Sequence, residues 1–397
     1  MKKEKDFVLR RHQFWFKLAK PLARAYMRIK FGYKVKSHYK LSKKQPVIVL
    51  SNHQADLDPF FVEFAFNRYI YPVGSDHMFS TKGDTILHHF FPVIPKKKGE
   101  VDIRCTLMMK RVTKKGGSLL LFPEGNRSYA EFQFPIDDTI AKLKHYKIPI
   151  ILFNLHGGNG VDPRFAHKIR KGKFYGEIKR VIKPEEFDNY SDHELAELIR
   201  NELRVFDSDS GEKYKSKIRA EYLERVFFVC PKCGKVECLE SKNEFIKCKN
   251  CGLEVEYTED LKLKSSDPDF KFTRMVDWYD FQKEWVKNYQ EKEDEVIFSD
   301  ENVELTIRNP FHPVEFVTKG LIKLTNKALF INDKVFPLKE ISVVSPLKGN
   351  RLLFTFNNIS YHVQGHDRFN PLKYVFMINK LDSLVRERGV DKLFAID

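Results

Sequence analysis

The sequence predicts an α/β sheet covered by helices, followed by a small cysteine-built ribbon and a mainly-β domain with a carboxyl-terminal helix. Three observations carry this reading. From about 45 to 190, short apolar runs alternate with longer stretches of helical pattern. Two Cys-x2-Cys pairs follow, with 14 residues between Cys233 and Cys248. After about 296, short strand-like runs separated by turn residues lead into a helical run that begins at Pro371.

At 397 residues the chain is expected to hold several domains. It has no run of 18 or more apolar residues, so no transmembrane helix is expected. Its first apolar stretches are broken by charges and do not read as a signal peptide. The net charge of +16 is concentrated at the start: residues 1–50 hold fifteen Lys or Arg against Glu4 and Asp6. Among those cations stand Phe7, Val8, Leu9, Phe14, Trp15, Phe16, Leu18, Leu22, Tyr26, Met27, Ile29 and Phe31. Large apolar side chains among cations suit helices lying in a membrane interface, so residues 1–44 are assigned to basic amphipathic membrane-binding helices. Pro21 is expected to divide them into two. A helix pair packed on the domain with a basic outer face is the other reading.

Residues 45–215 form the expected α/β domain. Its strands are Val47–Leu50, Ile70–Val73, Leu119–Phe122, Ile148–Leu152 and Phe174–Ile178. Its helices are Phe60–Asn67, Val101–Lys115 and Asp138–Tyr146, with Ser191–Leu203 closing the domain through a Ser191/Glu194 capping box. Gly116-Gly117 reads as a helix stop, and His156–Gly160 as a tight loop.

Two segments follow strands and carry chemistry. Asn52-His53-Gln54-Ala55-Asp56-Leu57-Asp58 comes after Val47–Leu50, and Phe122-Pro123-Glu124-Gly125-Asn126-Arg127-Ser128 ends the run at Leu119–Phe122. Ligand sites of open α/β sheets lie at the carboxyl ends of strands, so both segments are expected to face one crevice. His53 is suited to act as a general base on an alcohol, and Asp58 to orient the ring. No serine nucleophile has a place in this arrangement, so the acceptor hydroxyl would attack an acyl donor directly. Taken alone, a His-x4-Asp is also compatible with a turn histidine and a helix cap.

Together the segments resemble the glycerolipid acyltransferase family, typified by 1-acylglycerol-3-phosphate acyltransferases. The family's second block is matched by Pro92-Val93-Ile94-Pro95-Lys96, with lysine where arginine is usual, and its fourth by Ile148-Pro149-Ile150-Ile151. Asn126 stands where threonine is usual. The resemblance covers about residues 40–190. It implies catalysis by His53 and Asp58, and substrate binding by Lys96, Glu124, Gly125, Arg127 and Ser128. Lys96 and Arg127 would hold an acceptor phosphate, Gly125 would admit close backbone approach, and Glu124 would orient the loop or bond the glycerol hydroxyl. Lys96-Lys97-Lys98 also reads as a solvated loop, and Arg127 as a structural partner of Glu124. The implied reaction moves a fatty acyl chain from acyl-CoA or acyl-ACP to the hydroxyl of 1-acylglycerol 3-phosphate, giving phosphatidic acid. Another lysophospholipid or alcohol is the close alternative acceptor. The implied setting is the cytoplasmic face of the cell membrane, at an anionic surface, with acyl carrier protein as a candidate partner.

Residues 225–260 read as a zinc ribbon, with Cys230, Cys233, Cys248 and Cys251 as ligands of a structural Zn2+. Cys105 and Cys238 read as packing residues, and no disulfide framework is evident. Residues 270–292 form an aromatic linker helix with Trp278, Phe281, Trp285 and Tyr289 at helical spacing, followed by a mostly acidic linker at Glu291–Glu295. In residues 296–397, strands are expected at Val303–Arg308, Lys319–Leu324, Ala328–Asn332, Ile341–Pro346, Arg351–Asn357 and Ile359–Val363. With a closing helix over Pro371–Val385, this arrangement resembles a pleckstrin-homology-like β domain. Outside the enzyme class, the ribbon and basic segment also fit a nucleic-acid-binding protein or a zinc-stabilised scaffold. The lipid-compatible aromatic density argues against nucleic acid.

Overall fold

α1 (Arg10–Phe31) runs through Pro21 as one helix, where the sequence predicts a break. The computed structural model describes residues 8, 10–42, 45–75, 89–97, 102–290, 292, 295–308 and 313–381. Phe7 and Leu9 of the expected interfacial segment lie outside them. Proline inside a helix loses one hydrogen bond and crowds the preceding turn, at a cost of about 3 kcal/mol. Anchors on both sides offset that cost: His12 and Phe16 before the proline and Met27 and Phe31 after it are buried. Each buried large apolar side chain contributes about 1.5–3 kcal/mol. The opposite stripe, Phe14, Leu18, Leu22, Tyr26 and Ile29, is between 49% and 86% exposed. Among the described residues, no helix is long and apolar enough to cross a membrane.

The chain divides into two units, one comprising 1–128, 133–161 and 171–207, the other 129–132, 162–170 and 208–397. The first is built on β1 (Tyr33–Val35), β2 (Ile48–Ser51), β3 (Ile70–Ser75), β4 (Ile94–Lys96), β5 (Ser118–Leu121), β6 (Ile150–His156) and β7 (Phe174–Ile182). They form a seven-stranded sheet in the order β1-β7-β6-β2-β5-β3-β4. β6, β2, β5, β3 and β4 are parallel, so their carboxyl ends share one edge. β7 runs antiparallel to β6 and pairs in parallel with β1. Ile48, Leu50, Leu119, Ile150 and Leu152 pack in one core with Phe16, Met109, Val112, Leu195 and Ile199. Tyr33, Phe61 and Phe174 form a second group of rings, and Phe66 packs with Phe153.

Helix boundaries differ from the sequence expectation where tertiary partners compete. α2 (Asp58–Glu63) begins and ends earlier than the expected Phe60–Asn67. Past it, Phe66 bridges to Tyr39, and the Asn67 side chain accepts the Leu41 N–H at 2.8 Å. α3 (Ile103–Lys114) starts at an Asp102 cap whose carboxylate accepts the Cys105 N–H; Val101 lies outside the described residues. The Asp138–Tyr146 stretch is a 3-10 helix. α4 (Gly158–Val161) is a single turn after β6, and α5 (Asp192–Leu203) carries the expected Ser191/Glu194 capping box. β1 and β4 were not expected. Each has three residues, too few for a periodicity, and β4 takes Pro95 at the sheet edge, where proline is tolerated.

The second unit contains a four-stranded sheet of β8 (Leu239–Lys242), β9 (Phe245–Cys248), β10 (Glu254–Tyr257) and β11 (Leu263–Lys264). α6 (Met275–Asn288) is anchored by Trp278, which stacks on Phe227 at 4.2 Å and donates its indole N–H to the Val229 carbonyl at 2.9 Å. The expected acidic linker falls largely outside the described residues. Next come β12 (Phe298–Ile307), β13 (Glu315–Leu324), β14 (Ala328–Ile331), β15 (Lys334–Pro337), β16 (Ile341–Leu347), β17 (Arg351–Phe356) and β18 (Ile359–Gln364). They form an antiparallel sheet ordered β15-β14-β13-β12-β18-β17-β16, with α7 (Pro371–Leu381) packed on β16 and β17. β15 is the strand the sequence reading missed. Residues 382–385 of the expected helix lie outside the described residues. Lys373 of α7 is buried between Glu237 at 2.6 Å and Asp300 at 2.8 Å.

Candidate active site

β2 and β5 are neighbours in parallel register, Ile48 opposite Leu119 and Leu50 opposite Leu121. The turns that follow them therefore leave the sheet side by side. The Asn52 side chain extends β2 by one residue: it accepts the Leu155 N–H at 2.8 Å and donates to the Leu155 carbonyl at 2.9 Å. His53 comes next, its ring lying on Phe122 at 4.5 Å between centroids.

His53 Nδ1 is 2.8 Å from Asp58 Oδ2. Asp58 is fully buried, and the same oxygen accepts the Gln54 N–H at 2.6 Å and the Ala55 N–H at 2.9 Å. A carboxylate can only accept, so Nδ1 carries the proton and Nε2 keeps its lone pair. The His53 side chain is 22% exposed, and Nε2 has no hydrogen-bond partner among the described residues. This ring can take a proton from a bound hydroxyl.

The second turn clamps the first. Glu124 is buried; one carboxyl oxygen accepts the His53 N–H and the other the Phe134 N–H, each at 3.1 Å. Burial raises its carboxyl to about 8, against the pull of those two amides. Gly125 turns the chain with φ +64°, its N–H donating to the Phe122 carbonyl at 3.0 Å. The Ser128 N–H donates to the His53 carbonyl at 2.9 Å. The Ser128 hydroxyl is buried with no hydrogen-bond partner among the described residues. Arg127 is buried too: Nε donates to the Gln54 carbonyl at 2.6 Å, and Nη1 lies 3.0 Å from the exposed carboxylate of Asp56.

Six of the residues singled out by sequence are thus in one place: His53, Asp58, Glu124, Gly125, Arg127 and Ser128. Lys96 ends β4 and is exposed. It lies at the same sheet edge but three strands from β2, roughly 14 Å at ~4.8 Å per strand. Sequence reasoning missed Asn52, Gln54 and Phe134. The first two lie inside the motif turn, where a buried amide side chain leaves no pattern. Phe134 contributes a main-chain N–H, which no residue type announces.

In the second unit the four sulfurs of Cys230, Cys233, Cys248 and Cys251 lie within 4.8 Å of one another. The Cys230–Cys251 and Cys233–Cys248 separations are 3.6 and 3.8 Å. A tetrahedral site with Zn–S of ~2.3 Å has S···S edges of about 3.8 Å, whereas a disulfide needs ~2.05 Å. The spacing therefore fits one shared soft cation, and these four residues could hold it. Gly234 and Gly252, at φ +68° and +75°, allow the tight turns; their N–H groups donate to the carbonyls of Cys230 and Cys248. Cys105 is buried 4.0 Å from the Met109 sulfur. Cys238 is half-buried, its sulfur 3.4 Å from that of Cys248 and thus at the edge of the cluster.

Residues 32–153 match the Acyltransferase family model. This stretch takes in both motif turns. Among solved structures, the chain is similar to the 1-acyl-sn-glycerophosphate (LPA) acyltransferase PlsC from Thermotoga maritima. The identity is 17% and the TM-score 0.40, over 50% of this chain and 82% of that one. No curated protein matches the chain.

Proposed function

We propose that this protein is a peripheral membrane O-acyltransferase. It moves a fatty acyl chain from acyl-CoA or acyl-ACP to the free hydroxyl of 1-acylglycerol 3-phosphate, giving phosphatidic acid. The observation that carries the reading is His53 held through Nδ1 by a buried carboxylate, with Nε2 unpartnered among the described residues at the carboxyl end of β2. Nε2 takes the acceptor's hydroxyl proton as that oxygen attacks the thioester carbonyl. The new C–O ester bond forms, the C–S bond breaks, and the imidazolium returns its proton to the departing thiolate. Asp58 keeps the ring in one tautomer and stabilises its cation. Arg127 and Lys96 are assigned to the acceptor phosphate, Arg127 by exchanging the exposed Asp56 carboxylate for it. Glu124, Gly125 and Ser128 shape the loop that meets the acceptor.

The basic start of the chain and the exposed apolar stripe of α1 support binding to an anionic membrane surface, which we assign to the cytoplasmic face. Cys230, Cys233, Cys248 and Cys251 would hold a structural Zn2+, which cross-links the ribbon and takes no part in acyl transfer. The antiparallel sheet closed by α7 supports the pleckstrin-homology-like reading of residues 296–397.

A different lysophospholipid or alcohol acceptor is the second reading, favoured by Arg127 already having a carboxylate partner and by Lys96 standing at the sheet edge. Nucleic acid is disfavoured: residues 225–260 hold six cations against seven acids. Lys232, Lys247 and Lys249 there pair with Asp267, Glu254 and Glu240. The test is thioester consumption on liposomes with a panel of lysophospholipids, wild type against His53→Ala. Turnover on 1-acylglycerol 3-phosphate that the substitution abolishes in folded protein supports the reading. No turnover with any acceptor and either donor overturns it.

A further inference from the structure

Gln54 lies between the two residues assigned to catalysis, is 3% exposed, and has all its polar groups engaged. Its N–H donates to Asp58 Oδ2 at 2.6 Å, and its carbonyl accepts from Arg127 at 2.6 Å. Its side-chain oxygen accepts the Gly158 N–H at 2.9 Å, and its amide group bonds to Asp207. Asp207 is itself 2% exposed. Its two oxygens accept the Gly157 N–H at 2.6 Å and the Asn159 N–H at 3.1 Å. Because β6 runs parallel to β2, the 157–159 turn leaves the sheet edge beside the motif turn. Glycine at 158 is what allows the approach, since a Cβ there would meet Gln54 atoms at 2.7 Å. Asp207 is a buried carboxylate, and the acyl-transfer steps above make no use of it.

We propose that Gln54 and Asp207 are positioning residues for the His53–Asp58 pair. Asp207 fixes the 157–159 turn, and the Gln54 side chain is tied to both. The Gln54 peptide is thereby held where its N–H keeps Asp58 Oδ2 turned toward the imidazole. The two main-chain donors, Gln54 and Ala55, oppose rotation of that carboxylate, and only the Gln54 peptide has its side chain locked to a second element. The inference rests on the reading of His53 as the base. Neither residue touches substrate in this assignment, so releasing them should slow the chemical step without weakening substrate binding.

The test compares wild type with Gln54→Leu, which keeps the bulk but not the amide, and with Gln54→Glu alone and combined with Asp207→Asn. The double variant exchanges the amide and carboxylate partners. Misplacing a reacting group by about 1 Å costs roughly 100-fold. Gln54→Leu is therefore expected to lower kcat by roughly 10- to 100-fold, with KM for donor and acceptor within about twofold of wild type. Gln54→Glu, placing like charges together, should do the same, and adding Asp207→Asn should recover part of kcat. A second readout is independent of turnover: the Nδ1–H resonance of His53 in 15N-histidine-labelled protein, assigned with His53→Ala. It should shift in the single variants and return toward wild type in the double one.

Unchanged kcat and an unchanged His53 resonance in Gln54→Leu overturn the proposal. So does a lower yield of folded protein with normal kcat, which marks a purely structural role. If the resonance responds as expected but wild type turns over no acceptor, the positioning stands and the acyltransferase reading fails. Should Gln54→Leu not fold, the Gln54→Glu single and double variants decide between the same outcomes.

Discussion

Glu124 offers the sharpest quantitative test, because its environment pulls in two directions. Burial raises its carboxyl from 4.5 to about 8, while the N–H groups of His53 and Phe134 favour the charged form. A carboxyl raised on folding contributes stability fully present below its unfolded value, and that stability is lost as pH rises toward the folded value. From 4.5 to about 8 the full effect is about 5 kcal/mol, at ~1.4 kcal/mol per unit. Other groups share part of this range. His12, lowered to about 4 by burial and by nearby Arg11 and His89, acts with the opposite sign below pH 6.5. Asp207, raised to about 6 by burial, acts with the same sign as Glu124 and is largely titrated by about pH 7. Glu63, buried and raised well above its ordinary value, still contributes, so the informative quantity is a difference between variants.

Glu124→Gln removes the titration and leaves one of the two N–H groups facing an amide donor. That mismatch costs about 1–3 kcal/mol at every pH. Superimposed on this offset, wild type should lose about 1.4 kcal/mol per pH unit more than the variant between pH 6.5 and 7.5, with the difference flattening beyond pH 8. Urea unfolding read by hydrogen exchange on peptides spanning 119–134 reports the stability of this loop directly. Parallel pH curves for the two proteins would sink the argument, since they would mean that Glu124 is ionised throughout.

Further predictions concern the cations, the sulfurs, the buried lysine and the surface of α1. The exposed Asp56 partner of Arg127 should be worth only ~0.2–1 kcal/mol, so Asp56→Asn should lower KM for a phosphate-bearing acceptor by about 1.5- to 5-fold. An unchanged KM would leave Arg127 as a clamp on the motif turn alone. Replacing any of Cys230, Cys233, Cys248 or Cys251 by serine should cut bound zinc measured by mass spectrometry, whereas Cys238→Ser should retain it. Loss of metal from Cys238→Ser would make the fifth sulfur a ligand. Lys373→Met leaves Asp300, whose side chain is 12% exposed, with Tyr374 and His366 but without its lysine, and should destabilise the second unit by about 3 kcal/mol. A melting temperature equal to wild type would refute that. Leu22→Glu with Ile29→Glu should reduce co-sedimentation with anionic vesicles at least tenfold while leaving folding intact, because both side chains face outward. Undiminished binding would assign the membrane contact elsewhere.

The elements legible in the sequence are those whose pattern is local. Val47–Leu50, Leu119–Phe122 and Ile148–Leu152 are apolar on both faces because they lie at the centre of a largely parallel sheet, and such runs stand out. Tyr33–Val35, Ile94–Lys96 and Lys334–Pro337 are edge or near-edge strands with charged residues or proline, and nothing in three or four residues separates them from loop. Pro21 misled for a related reason. Its local cost is real, but the side chains that offset it are buried against partners far along the chain, Tyr71 for His12 and Tyr69 for Phe16.

For the site, the same division separates side chains from main chain. The spacing of His53 and Asp58 is a covalent fact, and a tight turn converts it into a 2.8 Å contact. The pairing of the two motif turns followed from two apolar runs ending at one sheet edge. What sequence could not show is that Arg127 and Glu124, residue types that invite assignment to a ligand, are occupied by backbone: the Gln54 carbonyl, the His53 N–H and the Phe134 N–H. A charged residue in a motif is legible as charge, but whether it faces a substrate or a peptide group depends on main-chain positions that carry no letter of their own. Arg127 is the instructive case. Nε is committed to the fold, while Nη1 lies 3.0 Å from an exposed carboxylate. One guanidinium can therefore brace the motif turn and exchange a carboxylate for an incoming phosphate, the role proposed for it above. Lysine, a point charge without that fork, could not divide the two tasks.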